Sequence, residues 1–418
     1  MWRNRDFRRL WVGQTASQLG EHASLVVLPL FAVLTLDAGA GEMGVLRAAE
    51  QAPFVLISLF AGAWVDGWPA RTVMVLTDAG RTAVLGAVAV AGLLGWLGLP
   101  VLLGAAFAVG ALSVFFDVAY QASLVRLVER DQLVRGNSAL EGSRSAAQTG
   151  GPALGGALVS SLSAPIAAAF SALFFSVSFL SIRRIRRREV IAARSGHPHG
   201  MWRRIREGMR FVVGDRSLRT VCLASAAFQF SLAAMMTGYL LFLPRELHLS
   251  ATAIGLTLAS TGPGALLGSV LAARLPGRFG YGAVLVSAAA LGDGAFLLVP
   301  ALAGSSAGTV LVLLAVNFVF GAGGQLVTVT VMAVRQAVTP DEMQGRAAAT
   351  ITFVGMGLAP LGSLLGGFLA QEWGLRTSLL ATAAGMLLSP VLMAASPLAR
   401  LGRALPAPCS EDVQSGRL

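Results

Sequence analysis

About twelve apolar segments, each long enough to cross a lipid bilayer, follow one another along this 418-residue chain. A transmembrane helix needs about 20 consecutive apolar residues, and in lipid only helices and closed barrels satisfy their own backbone hydrogen bonds. The chain is 55% hydrophobic and 13% charged, whereas a soluble domain averages about 25% charged residues. We therefore predict an all-α polytopic membrane protein. The predicted spans are, roughly, residues 9–35, 43–65, 72–96, 99–125, 138–160, 164–182, 217–244, 251–274, 281–301, 307–333, 347–370 and 376–397.

A long arginine-rich connection divides these spans six and six. We predict an N-terminal six-helix bundle over residues 1–182, a cytoplasmic linker over 183–216, a C-terminal bundle over 217–398 and a tail over 399–418. In the linker, Trp202 and Met209 alternate with arginines at helical spacing, as in an interfacial amphipathic helix. Because arginine-rich loops stay on the cytoplasmic side, both termini are predicted to be cytoplasmic.

Composition excludes several classes of function. The net charge of +11 does not indicate nucleic-acid binding, because the arginines cluster between apolar segments, where they act as orientation signals. The sequence has no lysine, which excludes a P-loop ATPase and Schiff-base chemistry. Two cysteines, Cys222 and Cys409, form no metal-binding pattern, and the pair His197 and His199 is more typical of a solvated linker. We predict no enzyme activity, no cofactor and no metal site.

The turn after the second span, "GAWVDGWPAR", carries Gly62, Asp66 and Arg71. Together with the six-plus-six layout, this turn resembles the G-x-x-x-D-R-x-G-R-R loop of the major facilitator superfamily. The match is partial, since Gly67 and Pro69 stand where that family prefers Arg and Gly. The resemblance implies a cytoplasmic gate latch; the alternative is a polar turn with an orienting arginine.

Three further stretches resemble the enterobactin-exporter and macrolide-efflux-like branch of the superfamily: "FRRLWVGQTASQLG", the Asp78-x-x-Arg81 pair of span three, and "FFDVAYQASLVRLVERDQLVRGNSALEGSRS". The resemblance covers nearly the whole chain and implies a bacterial inner-membrane transporter. Asp78 and Arg81 lie three residues apart on one helical face, so they could also simply neutralise each other.

Span five contains Gly151, Pro152, Gly155 and Gly156, which resemble the antiporter signature of the superfamily, although Ala147 replaces its first glycine. Glycines at this spacing permit close helix packing, and the proline bends the helix. Within the superfamily this signature implies export. Generic glycine-mediated packing is the alternative interpretation.

Polar residues recur inside the predicted spans, where charge is costly and marks candidate functional sites. In superfamily members, helices one, four, seven and ten line a central cavity, so the resemblance implies that several of these side chains face the transport route. The candidates for proton coupling are Glu21, Asp117, Glu50 and Glu141. The candidates for the substrate cavity are Gln14, Gln18, His22, Gln121, Arg144, Gln229, Asn317 and Gln325, with apolar lining from phenylalanines including Phe31, Phe228 and Phe320.

We take Glu21 as the first candidate for a carboxylate that binds and releases a proton as the cavity alternates between sides. The rival interpretation is a static hydrogen bond to a neighbouring span. Asp117 is the next candidate, unless it simply pairs with Arg47 or Arg144. Span four lacks the intramembrane arginine that many proton antiporters of the superfamily carry there, and Asp293 in span nine has no evident partner.

The sequence thus predicts a monomeric, proton-coupled exporter of an amphipathic organic molecule such as a siderophore, an antibiotic or another secondary metabolite, working by alternating access. Its partners would be the lipid bilayer, the small-molecule substrate and protons. Uptake by the same fold and lipid handling remain the alternatives.

Overall fold

The computed structural model describes residues 5–65, 68–127, 133–185, 199–340 and 343–403, and these residues form helices and connecting turns without any strand. Ten helical segments are long and apolar enough to cross a membrane. Helices α2 and α5, of 26 and 29 residues, pack beside these ten segments. With them, the described part of the chain has twelve long helical segments. The helices are α1 (Arg5–Leu34), α2 (Ala40–Val65), α3 (Ala70–Leu93), α4 (Leu99–Leu127), α5 (Leu133–Ser161), α6 (Ala164–Arg183), α7 (His199–Gly214), α8 (Arg216–Arg245), α9 (Ala251–Ala259), α10 (Thr261–Ala272), α11 (Leu275–Phe279), α12 (Tyr281–Gly294), α13 (Ala307–Val338), α14 (Gln344–Gly357), α15 (Ala359–Trp373), α16 (Leu375–Met386) and α17 (Leu388–Ala394).

The helices pack into two bundles, as the sequence predicts. In the first bundle α1 packs against α5 and α6, α3 against α4 and α6, and α2 against α4. In the second bundle α8 packs against α14 to α17, while α13 packs against α10 and α12. This is an all-α membrane protein built from two six-span halves.

Proline divides three of the C-terminal spans into two helices each. Proline lacks the amide proton that would bond to the carbonyl four residues earlier, and its ring clashes with that carbonyl. Four residues before Pro263, Pro360 and Pro390 lie Ala259, Met356 and Met386, and the preceding helices end at Ala259, Gly357 and Met386. The ninth span ends differently, in a 3-10 segment over Ala295–Ala301 that contains Pro300.

The linker forms the predicted amphipathic helix, α7, which packs against α14 and α8. Val212 is buried in this contact, whereas Arg206 and Arg210 are exposed. An ion pair of 2.9 Å between Arg346 Nη1 and Glu207 Oε2 holds α7 to the start of α14. Residues 186–198, the tail from 404, and the side chains of Trp202 and Ile205 lie outside the described part.

The two bundles meet through glycine contacts at one end of the molecule. A Cβ placed on Gly44 of α2 would lie 2.8 Å from the Ser363 carbonyl oxygen of α15. A Cβ on Gly255 of α9 would lie 2.6 Å from the Pro152 carbonyl oxygen of α5. An ion pair of 2.7 Å between Arg245 and Asp37 also joins the halves there.

Successive spans run antiparallel, so these contacts lie near the start of α2 and α9 and near the end of α5 and α15, away from the N-terminus. We call this side the closed end, and the side that carries Arg5 and α7 the terminal end.

Candidate functional site

A polar cavity of about 500 Å³ lies in the N-terminal bundle, between α1, α4 and α5. It combines amide, carboxylate and guanidinium groups, which is an unusual lining for the interior of a membrane bundle. Most of the predicted site residues of spans one, four and five meet here, although their sequence positions range from 14 to 144. The lining residues are Gln14, Gln18, Asp117, Tyr120, Ser138, Glu141 and Arg144.

Arg81 lies beside this cavity, fully buried between four helices. Its guanidinium carbon sits 4.4 Å from the ring centroids of both Phe116 and Phe175, so the two aromatic faces sandwich the charge. Its Nη2 atom lies 2.5 Å from Asp78 Oδ1, and Asp78 is fully buried as well. The sequence predicts this pair on one helical face, and the structure places it inside the bundle.

Three serines add hydrogen bonds to this pair, although Arg81 Nε has no partner among the described residues. Arg81 donates to Ser17 Oγ at 3.0 Å and to Ser113 Oγ at 3.2 Å, and Ser178 Oγ donates to Asp78 Oδ2 at 2.5 Å. Serines from α1, α4 and α6 therefore tie four helices to one ion pair. Sequence reasoning missed them, because a serine in an apolar helix usually bonds to its own backbone and leaves no distinguishing signal.

Glu21 lies next to this buried pair, and its side chain is partly exposed. Its Oε2 atom is 3.7 Å from Arg81 Nη1, and its side chain is 24% exposed. That oxygen has no hydrogen-bond partner among the described residues. Asp117 and Arg144 are close enough to act on Glu21 electrostatically. Glu21 is thus a partly accessible carboxylate that shares Arg81 with a better-placed competitor, Asp78.

The other coupling candidates differ in their surroundings. Glu50 is buried against Arg47, with 2.6 Å between Oε2 and Nη1, so Arg47 is engaged there and does not pair with Asp117. Glu141 is exposed on the cavity wall. His22 is half-buried and packs against Gly151, where a Cβ would lie 2.5 Å from the His22 Cβ.

A second cavity, of about 480 Å³, lies in the C-terminal bundle and is mostly apolar. Gln229 lines it, as predicted, and so do Phe228 and Phe320. Asp293, for which the sequence suggests no role, is 4% exposed and also faces this cavity.

Three predicted cavity residues need correction. Asn317 is fully buried, and its Nδ2 donates to Tyr239 Oη at 2.8 Å and to the Leu313 carbonyl at 2.9 Å. It therefore joins α8 to α13 inside the bundle, because both residues lie on the packed faces of their helices. Phe31 is fully buried in the apolar core, where it contacts Gly92. Gln325 is half-buried on α13 and is not among the residues that line either cavity.

The predicted gate and packing motifs are resolved in part. Arg71 donates from Nη2 to the Arg183 carbonyl at 2.5 Å, which joins the start of α3 to the end of α6. Asp66 and the side-chain environments of Gly62 and Gln121 lie outside the described part. In the glycine signature of α5, Gly151 and Gly155 contact α1, while Gly156 faces α9, where its Cβ would lie 2.8 Å from the Gly255 Cα.

The helical architecture and the paired cavities define a transporter of the major facilitator superfamily, and not an enzyme. Residues 2–411 match the transmembrane secretion effector family, to which the chain belongs. A curated relative, the multidrug efflux pump Tap of Mycobacterium tuberculosis, is 28% identical over 394 residues, with 87% of each chain covered. The same pump in Mycobacterium bovis matches equally well.

Solved structures show the same fold. A bacterial homologue of the iron transporter ferroportin, in its inward-facing state, superposes with a TM-score of 0.75 at 18% identity, covering 93% of this chain and 98% of that one. The outward-facing state of that transporter superposes with a TM-score of 0.60 at 17% identity, with the same coverage. The nucleoside transporter NupG superposes with a TM-score of 0.71 at 12% identity, covering 93% of this chain and 98% of that one.

Proposed function

We propose that this protein exports an amphipathic small organic molecule across the bacterial inner membrane, driven by protons entering in exchange. The observation that carries the proposal is the cluster formed by Glu21, Asp78 and Arg81 beside the polar cavity. A transporter needs a group whose charge changes during the cycle, and intramembrane carboxylates serve this purpose in many proton relays.

The position of Glu21 suits it to the role of the proton-coupling carboxylate. When it is ionised, its attraction to Arg81 at 3.7 Å offsets part of the free-energy cost of its removal from water. When it is protonated, Arg81 keeps Asp78 at 2.5 Å and both serine hydroxyls, so the buried pair stays intact. The bundle can therefore accept either state of Glu21, which a coupling carboxylate requires. Asp117, on the wall of the same cavity, is the second candidate.

Access would alternate by rocking of the two bundles. The closed end is held by small-residue contacts between α2 and α15 and between α5 and α9, together with the exposed Arg245–Asp37 pair. Such contacts contain little charge to separate, and exposed ion pairs contribute only about 0–1 kcal/mol. Opening this end and closing the terminal end is thus a repacking of preformed helices, as in other transporters with repeated halves.

Three observations support export as the direction. The family is described by secretion, the relative Tap is a multidrug efflux pump, and Gly151 to Gly156 resemble the antiporter signature. The positive-inside rule favours a cytoplasmic location for the arginine-rich terminal end, and in that orientation the closed end of this structure would face the outside of the cell. An exporter loads its substrate in this state.

The test is accumulation in an efflux-deficient bacterium that expresses the protein. Ethidium, erythromycin and chloramphenicol serve as a cationic, a weakly basic and a neutral probe. We expect lower accumulation of at least one probe, and the difference should vanish when a protonophore collapses the gradient. Glu21→Gln should abolish it, whereas Glu372→Gln, an exposed carboxylate on α15, should not.

Higher accumulation of a probe on expression would instead indicate uptake. Lower accumulation that survives the protonophore would contradict proton coupling. If expression changes the accumulation of no probe, export of this class of compound is contradicted.

A further inference from the structure

The C-terminal bundle contains a carboxylate that neither the proton-coupling proposal nor the fold uses. Asp293 lies thirteen residues into the membrane segment Tyr281–Ala301, close to its middle, and faces the apolar cavity. It is 4% exposed. No hydrogen bond or ion pair to its side chain occurs among the described residues, in contrast to Asp78 and Glu50, which each have an arginine within 2.6 Å.

An ionised carboxylate at this depth is costly unless it has a partner or faces a cavity. Its position is also well defined, because the backbones of α12 and α13 meet beside it: a Cβ on Gly292 would lie 3.3 Å from the Gly323 Cα. A fixed, buried carboxylate without a partner on a cavity wall is suited to binding a ligand of opposite charge.

The remainder of the cavity wall favours a large, weakly hydrated cation. The rings of Phe228 and Phe320, which line the cavity, stack at 6.3 Å between centroids, and the buried Phe296, which does not line it, packs edge-on to Phe320 at 5.1 Å. Aromatic faces attract cations electrostatically, and the thioether side chains of Met332 and Met356 on the same wall adapt to varied apolar shapes.

Arg335, a cationic side chain that lines the same cavity, forms no ion pair with Asp293 among the described residues. It lies eleven residues beyond Gly324 on α13, which corresponds to about 17 Å along a helix. Gly324 belongs to the α13 segment that contacts Gly292, beside Asp293. The cavity therefore has its carboxyl group near the middle of the membrane and its guanidinium group toward the terminal end.

We propose that this cavity is the recognition site for an amphipathic organic cation, with Asp293 as the counter-charge and Phe228 and Phe320 as the apolar and cation–π surface. The volume of about 480 Å³ is within the usual range of small-molecule sites. This inference rests on the proposed export function and specifies its substrate class.

The test is equilibrium binding to the purified full-length protein in lipid nanodiscs, with empty nanodiscs as the background. Tetraphenylphosphonium and tetraphenylborate are probes of nearly the same size and shape but of opposite charge. We expect the wild type to prefer the phosphonium, and Asp293→Asn to weaken phosphonium binding by about tenfold or more, as for other desolvated charge pairs. Asp293→Glu should retain most of the affinity, and Glu372→Gln should match the wild type.

Folding is checked separately by thermal unfolding. Because Asp293→Asn removes an unpaired buried charge, its midpoint should equal or exceed that of the wild type. Equal phosphonium affinity in the wild type and Asp293→Asn, or no preference of the wild type for the phosphonium, would overturn the inference. A clear fall in the unfolding midpoint would also count against it, since it would indicate a structural partner for Asp293.

This assay needs no gradient, so its outcome is independent of the export test. Charge-selective binding without protonophore-sensitive efflux would contradict the proposed function alone. Protonophore-sensitive efflux with binding unaffected by Asp293→Asn would contradict only the inference made here.

Discussion

The two bundles share one fold but hold their interiors together by different chemistry. In the N-terminal bundle the centre is an ion pair, Arg81 with Asp78, bonded to three serines and enclosed by two phenylalanine rings. In the C-terminal bundle the described buried polar link between α8 and α13 is neutral, from Asn317 to Tyr239. The difference suggests a division of labour, in which one half handles the proton and the other contacts the substrate.

Arg81→Met gives the most severe test of this comparison. It would leave Asp78 buried without a cation, and breaking a buried pair in this way typically costs about 3–5 kcal/mol. We expect a large fall in the thermal unfolding midpoint and loss of transport. Arg335→Gln in the C-terminal bundle is the matched control and should change the midpoint little, because Arg335 is only half-buried on a cavity wall.

The double variant Arg81→Met, Asp78→Asn separates charge from packing. It should recover part of the lost stability, since the uncompensated carboxylate is gone. If the double variant is no more stable than Arg81→Met, the aromatic packing of the guanidinium, and not its pairing, holds the bundle together.

Glu21→Gln is expected to separate coupling from binding. Its amide retains the size and polarity of the side chain but cannot exchange a proton, so gradient-driven efflux should fall to the level of cells without the protein. Tetraphenylphosphonium binding in nanodiscs should persist, because the proposed substrate site is in the other half. Efflux by Asp117→Asn is measured in the same assay. If Asp117→Asn abolishes efflux while Glu21→Gln retains it, Asp117 is the coupling carboxylate. If neither substitution lowers efflux, the proton-coupling hypothesis is wrong.

Gly255→Val addresses the contact between the halves. A valine there would overlap the Pro152 carbonyl, whose oxygen lies 2.6 Å from the Cβ position, and would force α5 and α9 apart at the closed end. We expect a severalfold loss of efflux, with the fold retained. Opening of the closed end is measured in a background that lacks Cys222 and Cys409 and carries Thr328→Cys. In that background, Gly255→Val should increase labelling of position 328 by a membrane-impermeant maleimide applied from outside the cell.

Gly86→Val is the control for that variant. Gly86 lies in the middle of α3, and its Cβ position has no neighbour within 4 Å, so a side chain there should leave efflux and labelling unchanged. Equal labelling of Gly255→Val and the wild type would show that the glycine contact does not hold the closed end.

The sequence predicted the fold well because its signals are local. About twelve apolar runs and an arginine-rich linker specify the spans. Pro263, Pro360 and Pro390 lie inside three predicted spans, just after the helix breaks that the structure shows there. Helical spacing also placed Asp78 beside Arg81 correctly. These relations depend only on residues a few positions apart.

The sites were predicted less completely because they depend on distant contacts. Nothing in the sequence distinguishes Asn317, which bonds to Tyr239 across two helices, from a polar residue on a cavity wall. Likewise, the serines around Arg81 come from positions 65 to 161 residues apart in α1, α4 and α6. Rotation of each helix about its axis decides such contacts, and several rotations satisfy the same apolar pattern.

Tyr239→Phe is expected to have the smallest effect, and it tests the neutral side of the comparison. It removes the acceptor for Asn317 Nδ2 at 2.8 Å but leaves that group bonded to the Leu313 carbonyl at 2.9 Å. Interhelical hydrogen bonds in membranes average about 0.6 kcal/mol, so the midpoint should fall slightly and transport should persist. A loss as large as that of Arg81→Met would mean that the neutral bond organises its bundle as strongly as the ion pair does, and the two halves would then differ in charge alone.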